Sequence, residues 1–82
     1  MIYEVYGISD CPACLRACAD LMDNGVEYVF VNCDFSRSYR EMVKDLFSWP
    51  TFPVITLNNG EEWEVIGGSE QLKHHLASIS RP

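Results

Sequence analysis

Eighty-two residues suffice for one packed core and not for two, so one domain over residues 1–82 is expected. An apolar share of 48% with 22% charged residues speaks against disorder, and no apolar run approaches the roughly 18 residues of a membrane span. Twelve acidic against six basic side chains, a net charge of −6, argue against nucleic acid and anionic membranes as partners, since both repel such a surface.

Met1 leads directly into Ile-Tyr-Glu-Val-Tyr, with no basic start and no apolar leader, and a cytoplasmic location is expected. Ile2 to Tyr6 alternates as a strand, with Tyr3 and Val5 on one side. Gly7 to Asp10 is a turn, and Pro12 suits the first turn of a helix, where its missing N–H costs nothing. That helix carries Cys14, Leu15, Cys18, Leu21 and Met22 on one side and stops at Asn24-Gly25. Val26 to Asn32 is β-prone and nearly continuously apolar, as expected of a strand buried on both faces.

Cys33 to Arg37 is a loop. Ser38-Tyr39-Arg40-Glu41 has the form of a capping box, followed by Met42, Val43, Leu46 and Phe47 on one helical face. Pro50 and Pro53 forbid helix through Ser48 to Pro53. Val54 to Leu57 is a strand, Asn58-Asn59-Gly60 a hairpin turn and Glu61 to Ile66 the returning strand. Ser69 caps a last helix bearing Leu72, Leu76 and Ile79. The order β-α-β-α-β-β-α predicts an α/β fold: a four-stranded mixed sheet, its first two strands parallel, with helices on both faces.

Three local patterns carry chemistry. Four cysteines, at positions 11, 14, 18 and 33, suit either a two-bridge staple or a redox or metal motif, and the absence of an export signal favours the second. Cys11-Pro12-Ala13-Cys14 opens a helix, where unpaired N–H groups and the helix dipole favour an anion. A thiol placed there has a pKa of roughly 3.5 to 7.5, and only the thiolate attacks a disulfide. Cys14, one turn on, is within reach to resolve the mixed disulfide. Cys18 points to the core by periodicity. Thr51-Phe52-Pro53 enters a strand through a proline turn that admits a cis bond and offers Phe52's backbone to an extended peptide. Gly67-Gly68-Ser69-Glu70 opens the last helix, where the N–H groups of Ser69 and Glu70 can hold a carboxylate. Adjacent His74 and His75 point about 100° apart and read as solvated helix residues rather than joint metal ligands. Trp49 and Trp63 read as packing or flanking the site.

Together, in this order and over essentially the whole chain, these patterns resemble the glutaredoxin family. The resemblance implies a thioredoxin-like fold and glutathione-dependent reduction of protein disulfides and protein–glutathione mixed disulfides. It implies Cys11 as nucleophile, Cys14 as resolving thiol, and Thr51, Phe52 and Pro53 as the clamp on the glutathione backbone. Gly68, Ser69 and Glu70 fall where the family holds the γ-glutamyl carboxylate, and Arg40 is a candidate for the glycyl carboxylate. A monomer without metal is expected, with glutathione and disulfide-bearing or glutathionylated proteins as partners and ribonucleotide reductase among the candidate clients. Three positions depart from the pattern: Ile8 stands where many relatives have lysine, Ala13 where they have tyrosine, and Asp10 adjoins Cys11. A higher Cys11 pKa and weaker glutathione selectivity follow as expectations, along with a capping role open to Asp10. Two other readings go with the resemblance: a small redoxin fed by thioredoxin reductase that donates electrons to ribonucleotide reductase, and a glutathione-ligated [2Fe–2S] carrier or sensor, against which Pro12 counts.

Overall fold

The computed structural model describes residues 1–79; residues 80–82 of the expected domain lie outside them. Its elements are β1 (Ile2–Gly7), α1 (Pro12–Asp23), β2 (Tyr28–Asn32), α2 (Arg37–Phe47), β3 (Val54–Asn58), β4 (Trp63–Gly67) and α3 (Ser69–Ile79). The strands form one mixed sheet in the order β2-β1-β3-β4, with β1 and β2 parallel and the other pairs antiparallel. No helix among the described residues is long and apolar enough to cross a membrane.

Period-two alternation sorts the sheet's side chains onto two faces. On one, Tyr3, Val5 and Ile55 pack with Ala17 and Leu21 of α1 and with Leu72 and Leu76 of α3. On the other, Val54 and Cys33 pack with Val43 of α2, flanked by Tyr6, Phe47 and Trp49. The Tyr6 and Phe47 rings lie 5.0 Å apart, and Phe47 meets Trp63 edge-on at 5.3 Å. Buried Thr56 donates to Glu4 Oε1 at 2.8 Å across the β1–β3 pair, so its hydroxyl is satisfied. Tyr3 and His75 share a hydrogen bond at 2.8 Å that ties β1 to α3.

Several expectations are corrected. β2 is not buried on both faces. It is an edge strand, only Tyr28 of it joins the first core cluster, and Val29 and Phe30 are 43% and 41% exposed. The buried side of α1 runs through Cys14, Ala17 and Leu21, which leaves Leu15 and Met22 67% and 65% exposed on its flank. Met42, Leu46 and Ile79 are likewise exposed. α2 is capped by Ser36, whose hydroxyl accepts from the Tyr39 N–H at 3.1 Å, so Ser38 lies inside the helix. α3 begins at Ser69, and the Gly68 carbonyl takes its first bond, from Leu72 N–H at 3.0 Å. β4 starts at Trp63 rather than Glu61, because Glu61 and Glu62 are drawn into the turn by N–H bonds to Asn59 Oδ1.

Candidate active site

The strand register gathers the three chemical patterns at one end of the sheet. Tyr6 pairs with Val54, Gly7 with Asn32, and Ile55 with Gly67. The segment leading to Cys11, the Phe52–Pro53 turn and the start of α3 therefore leave neighbouring strands on the same side. Cys33 joins them through its N–H, which donates to the Gly7 carbonyl at 2.7 Å.

Cys11 is itself the N-cap of α1, in extended conformation (φ −146°, ψ 96°), and its Sγ accepts from the Cys14 N–H at 3.2 Å. Asp10 is exposed and does not cap the helix. The sulfur thus sits among the orphan N–H groups that favour negative charge. Pro12 fills the first helical position, and the Cα atoms of Cys11 and Cys14 are 5.2 Å apart with their sulfurs joined in a disulfide. Cys11 is partly exposed, whereas Cys14 is 1% exposed. Gly7 makes that burial possible, since a β-carbon there would stand 2.8 Å from Cys14 Sγ and 2.9 Å from the Phe30 ring.

The approach to Cys11 is held from the loop that follows β2. The Ser9 N–H donates to Asp34 Oδ2 at 3.1 Å, and the Ser9 hydroxyl bonds to the same oxygen. Arg40 Nη1 donates to the Asp34 carbonyl at 3.1 Å, which places this half-buried side chain over the same loop. Cys18 and Cys33 are free thiols and are not paired with each other. Burial pushes the Cys33 thiol up, opposed by the Gly7 backbone; Asp34 adds to the rise and Arg40 offsets part of it. Burial also raises Cys18, against a hydrogen bond from Tyr28.

The peptide bond between Phe52 and Pro53 is cis. Thr51 is exposed, Phe52 half-buried and Pro53 buried. The Lys44 ammonium lies 5.4 Å from the centre of the Phe52 ring. No backbone hydrogen bond joins Phe52 to any described residue, which leaves its N–H and C=O open. A β-carbon on Gly68 would approach the Pro53 carbonyl to 3.7 Å and Trp49 Nε1 to 3.6 Å, so the second and third patterns touch. Gly67 adopts φ 126°, with Gln71 and Trp49 crowding the space a side chain would need. Gln71 folds back so that its Oε1 accepts from the Gly68 N–H at 3.1 Å. The next two amides, those of partly exposed Ser69 and exposed Glu70, are orphan donors of the helix start. Gln71 is the residue sequence reasoning missed as a builder of this corner, whereas Trp49, expected to pack or flank the site, stands against both glycines. The only local signal for Gln71 was a glutamine three positions after a helix cap.

The protein-family model described as glutaredoxin matches residues 3–62. The chain belongs to the glutaredoxin family. A curated relative from Rickettsia typhi, named probable monothiol glutaredoxin 2, is 36% identical over 70 residues. The match covers 82% of this chain, which spans about 60% of that relative's length. Among solved structures, the glutaredoxin of Brucella melitensis superposes with a TM-score of 0.75 at 24% identity, over 98% of this chain and 82% of that one. A buckwheat glutaredoxin–glutathione complex gives 0.73 at 18% identity, over 93% and 69%. The NrdH-redoxin of Escherichia coli gives 0.69 at 16% identity, over 100% and 99%. At these identities the structures show a shared thioredoxin-like fold. Unlike a monothiol protein, this glutaredoxin keeps a second cysteine, bonded to the first. The site therefore holds a disulfide between one partly exposed and one buried cysteine.

Proposed function

We propose that this glutaredoxin is a glutathione-dependent thiol–disulfide oxidoreductase that reduces protein disulfides and protein–glutathione mixed disulfides. The observation that carries the reading is Cys11 at the helix cap, bonded to Cys14, at the sheet end shared with the open Phe52 backbone and the start of α3. In the dithiol state the Cys11 thiolate attacks a client disulfide, forming a mixed disulfide and releasing one client thiolate. Cys14, deprotonated, attacks Cys11 Sγ and expels the second client thiolate. One glutathione thiolate then opens the Cys11–Cys14 bond at Cys11, and a second removes the first as glutathione disulfide. Each step exchanges one S–S bond for another, so electrons balance.

Thr51, Phe52 and Pro53 would pair with the cysteinyl backbone of glutathione as a short added strand. Its γ-glutamyl carboxylate would sit on the Ser69 and Glu70 amides, with Gly68 allowing the backbone a close approach. Arg40, with one of its five N–H donors on Asp34, retains donors for the glycyl carboxylate.

The test separates the two thiols. Cys14→Ser should keep removal of glutathione from a glutathionylated peptide and lose reduction of a protein disulfide, whereas Cys11→Ser should lose both. Either activity surviving in Cys11→Ser overturns the assignment. A second reading draws on the end-to-end match in length with the NrdH-redoxin, whose structure is described by a thioredoxin-like activity profile. NADPH supplied with thioredoxin reductase, in parallel with glutathione and its reductase, distinguishes the two by which system turns the protein over.

A further inference from the structure

A cleft of about 430 Å³ lies between α1 and β2, walled by Cys14, Leu15, Cys18, Met22, Tyr28 and Phe30. Buried Cys14 backs it at one end, and it reaches Met22, eight residues or about 12 Å along the helix, at the other. That span matches about four residues of extended chain, two of which point to the same side. One wall is β2, whose outer N–H and C=O groups have no strand partner among the described residues. Tyr28-Val29-Phe30-Val31-Asn32 contains neither charge nor proline, the usual defences of a sheet edge. The rim is acidic. Exposed Asp10, Asp23 and Glu27 adjoin the lining residues Ser9, Met22 and Tyr28, and the Asp34 carboxylate binds Ser9 itself. Arg16, beside Leu15, is the basic side chain next in chain to the lining.

We infer that this cleft and the β2 edge form a docking surface for an extended, basic client segment. The segment adds beside β2, sets two apolar side chains into the cleft and carries lysine or arginine toward the acidic rim. Apolar anchors supply affinity, and the charge selects the partner. A second copy is disfavoured as occupant because it would bring an acidic rim against an acidic rim. The inference rests on the proposed client-reducing role and names the kind of client.

The probe is a fluorescent eight-residue peptide alternating lysine with leucine or valine, with serine in place of cysteine, against a counterpart with glutamate for every lysine. Anisotropy should show the basic peptide binding at least tenfold more tightly, with a similar loss when its backbone is N-methylated at alternate residues. Leu15→Lys with Met22→Lys, both exposed positions, should weaken the basic peptide at least tenfold. For a glutathionylated cysteine version of the peptide, the same variant should lose tenfold in kcat/KM through KM. The mixed disulfide of glutathione and β-mercaptoethanol should stay within twofold. Binding needs no turnover, so failure of the glutathione reading leaves this measurement intact. Equal binding of the two peptides, or equal loss on peptide and small substrate, overturns the docking surface. A dimer in sedimentation equilibrium that the double variant dissolves assigns the cleft to a second copy and also overturns it.

Discussion

Gly7 is a residue whose smallness the site uses directly. Its strand conformation is ordinary, yet the space its β-carbon would take is held by Cys14 Sγ and the Phe30 ring. Gly7→Ala must push the buried sulfur or the ring aside. A loss of about 1–3 kcal/mol is expected, the range for overpacking a filled site, together with slower closure of the Cys11–Cys14 bond. Urea unfolding of the oxidised protein and the rate of re-oxidation after reduction check both. An alanine variant as stable as the parent would mean that the strand yields instead. At this scale the cysteine pair, the Phe52–Pro53 turn and the glycine pair were legible, because their chemistry lies within a few residues of chain. Gln71 capping Gly68 was not, and Trp49 was legible as flanking the site but not as the cover of the glycines, since each acts across a turn or between elements. Arg40's bond to the Asp34 carbonyl was hidden for the same reason.

Between elements, the difference between Ser36 and Ser38 is measurable. Ser36 accepts the Tyr39 N–H at the head of α2, whereas Ser38 lies one residue inside the helix. Ser36→Ala should cost about 1 kcal/mol, and Ser38→Ala should cost nothing or gain up to about 0.5 kcal/mol from helix propensity. Thermal midpoints of the two variants rank them, and the opposite order would restore the capping box at Ser38. Every element was legible in order and type, because hydrophobic period and turn residues are local signals. The strand order was not. Nothing within Val26 to Asn32 distinguishes a central strand from an edge, and that outcome depends on β3 taking the other side of β1. The same blindness assigned Leu15 and Met22 to the core, although the sheet beneath α1 ends at β2 and leaves their flank open.

Across the whole molecule, four acidic protons are held more firmly by the fold than by the open chain. Cys18 and Cys33 are raised chiefly by burial, as is Tyr3 with help from Glu64, and Tyr6 with help from Glu4, Tyr39 and Cys33. The folded state keeps these protons to higher pH than the unfolded chain does. Their contribution is therefore complete below the unfolded pKa values and is lost as pH rises, from about 8.5 for the thiols and 10 for the tyrosines. Urea midpoints of the oxidised protein should fall between pH 7.5 and 10, and Cys33→Ala should flatten the slope. A midpoint that climbs with pH would contradict the sign. The convergence of the three patterns at one sheet end was legible only through the family resemblance. Their physical meeting rests on the pairs Tyr6 with Val54 and Ile55 with Gly67, which no single segment encodes.

The unequal placement of the two sulfurs sets the regiochemistry of the resting bond before any reductant arrives. With Cys14 buried beside Gly7 and Phe30 and Cys11 at the rim of its helix, a colliding thiolate is expected to bond to the Cys11 sulfur, and the electron pair of the broken S–S bond goes to Cys14 as the leaving thiolate. For the proposed thiol–disulfide exchange, the architecture favours the adduct on Cys11 over the one on Cys14, a choice made by steric access as much as by acidity.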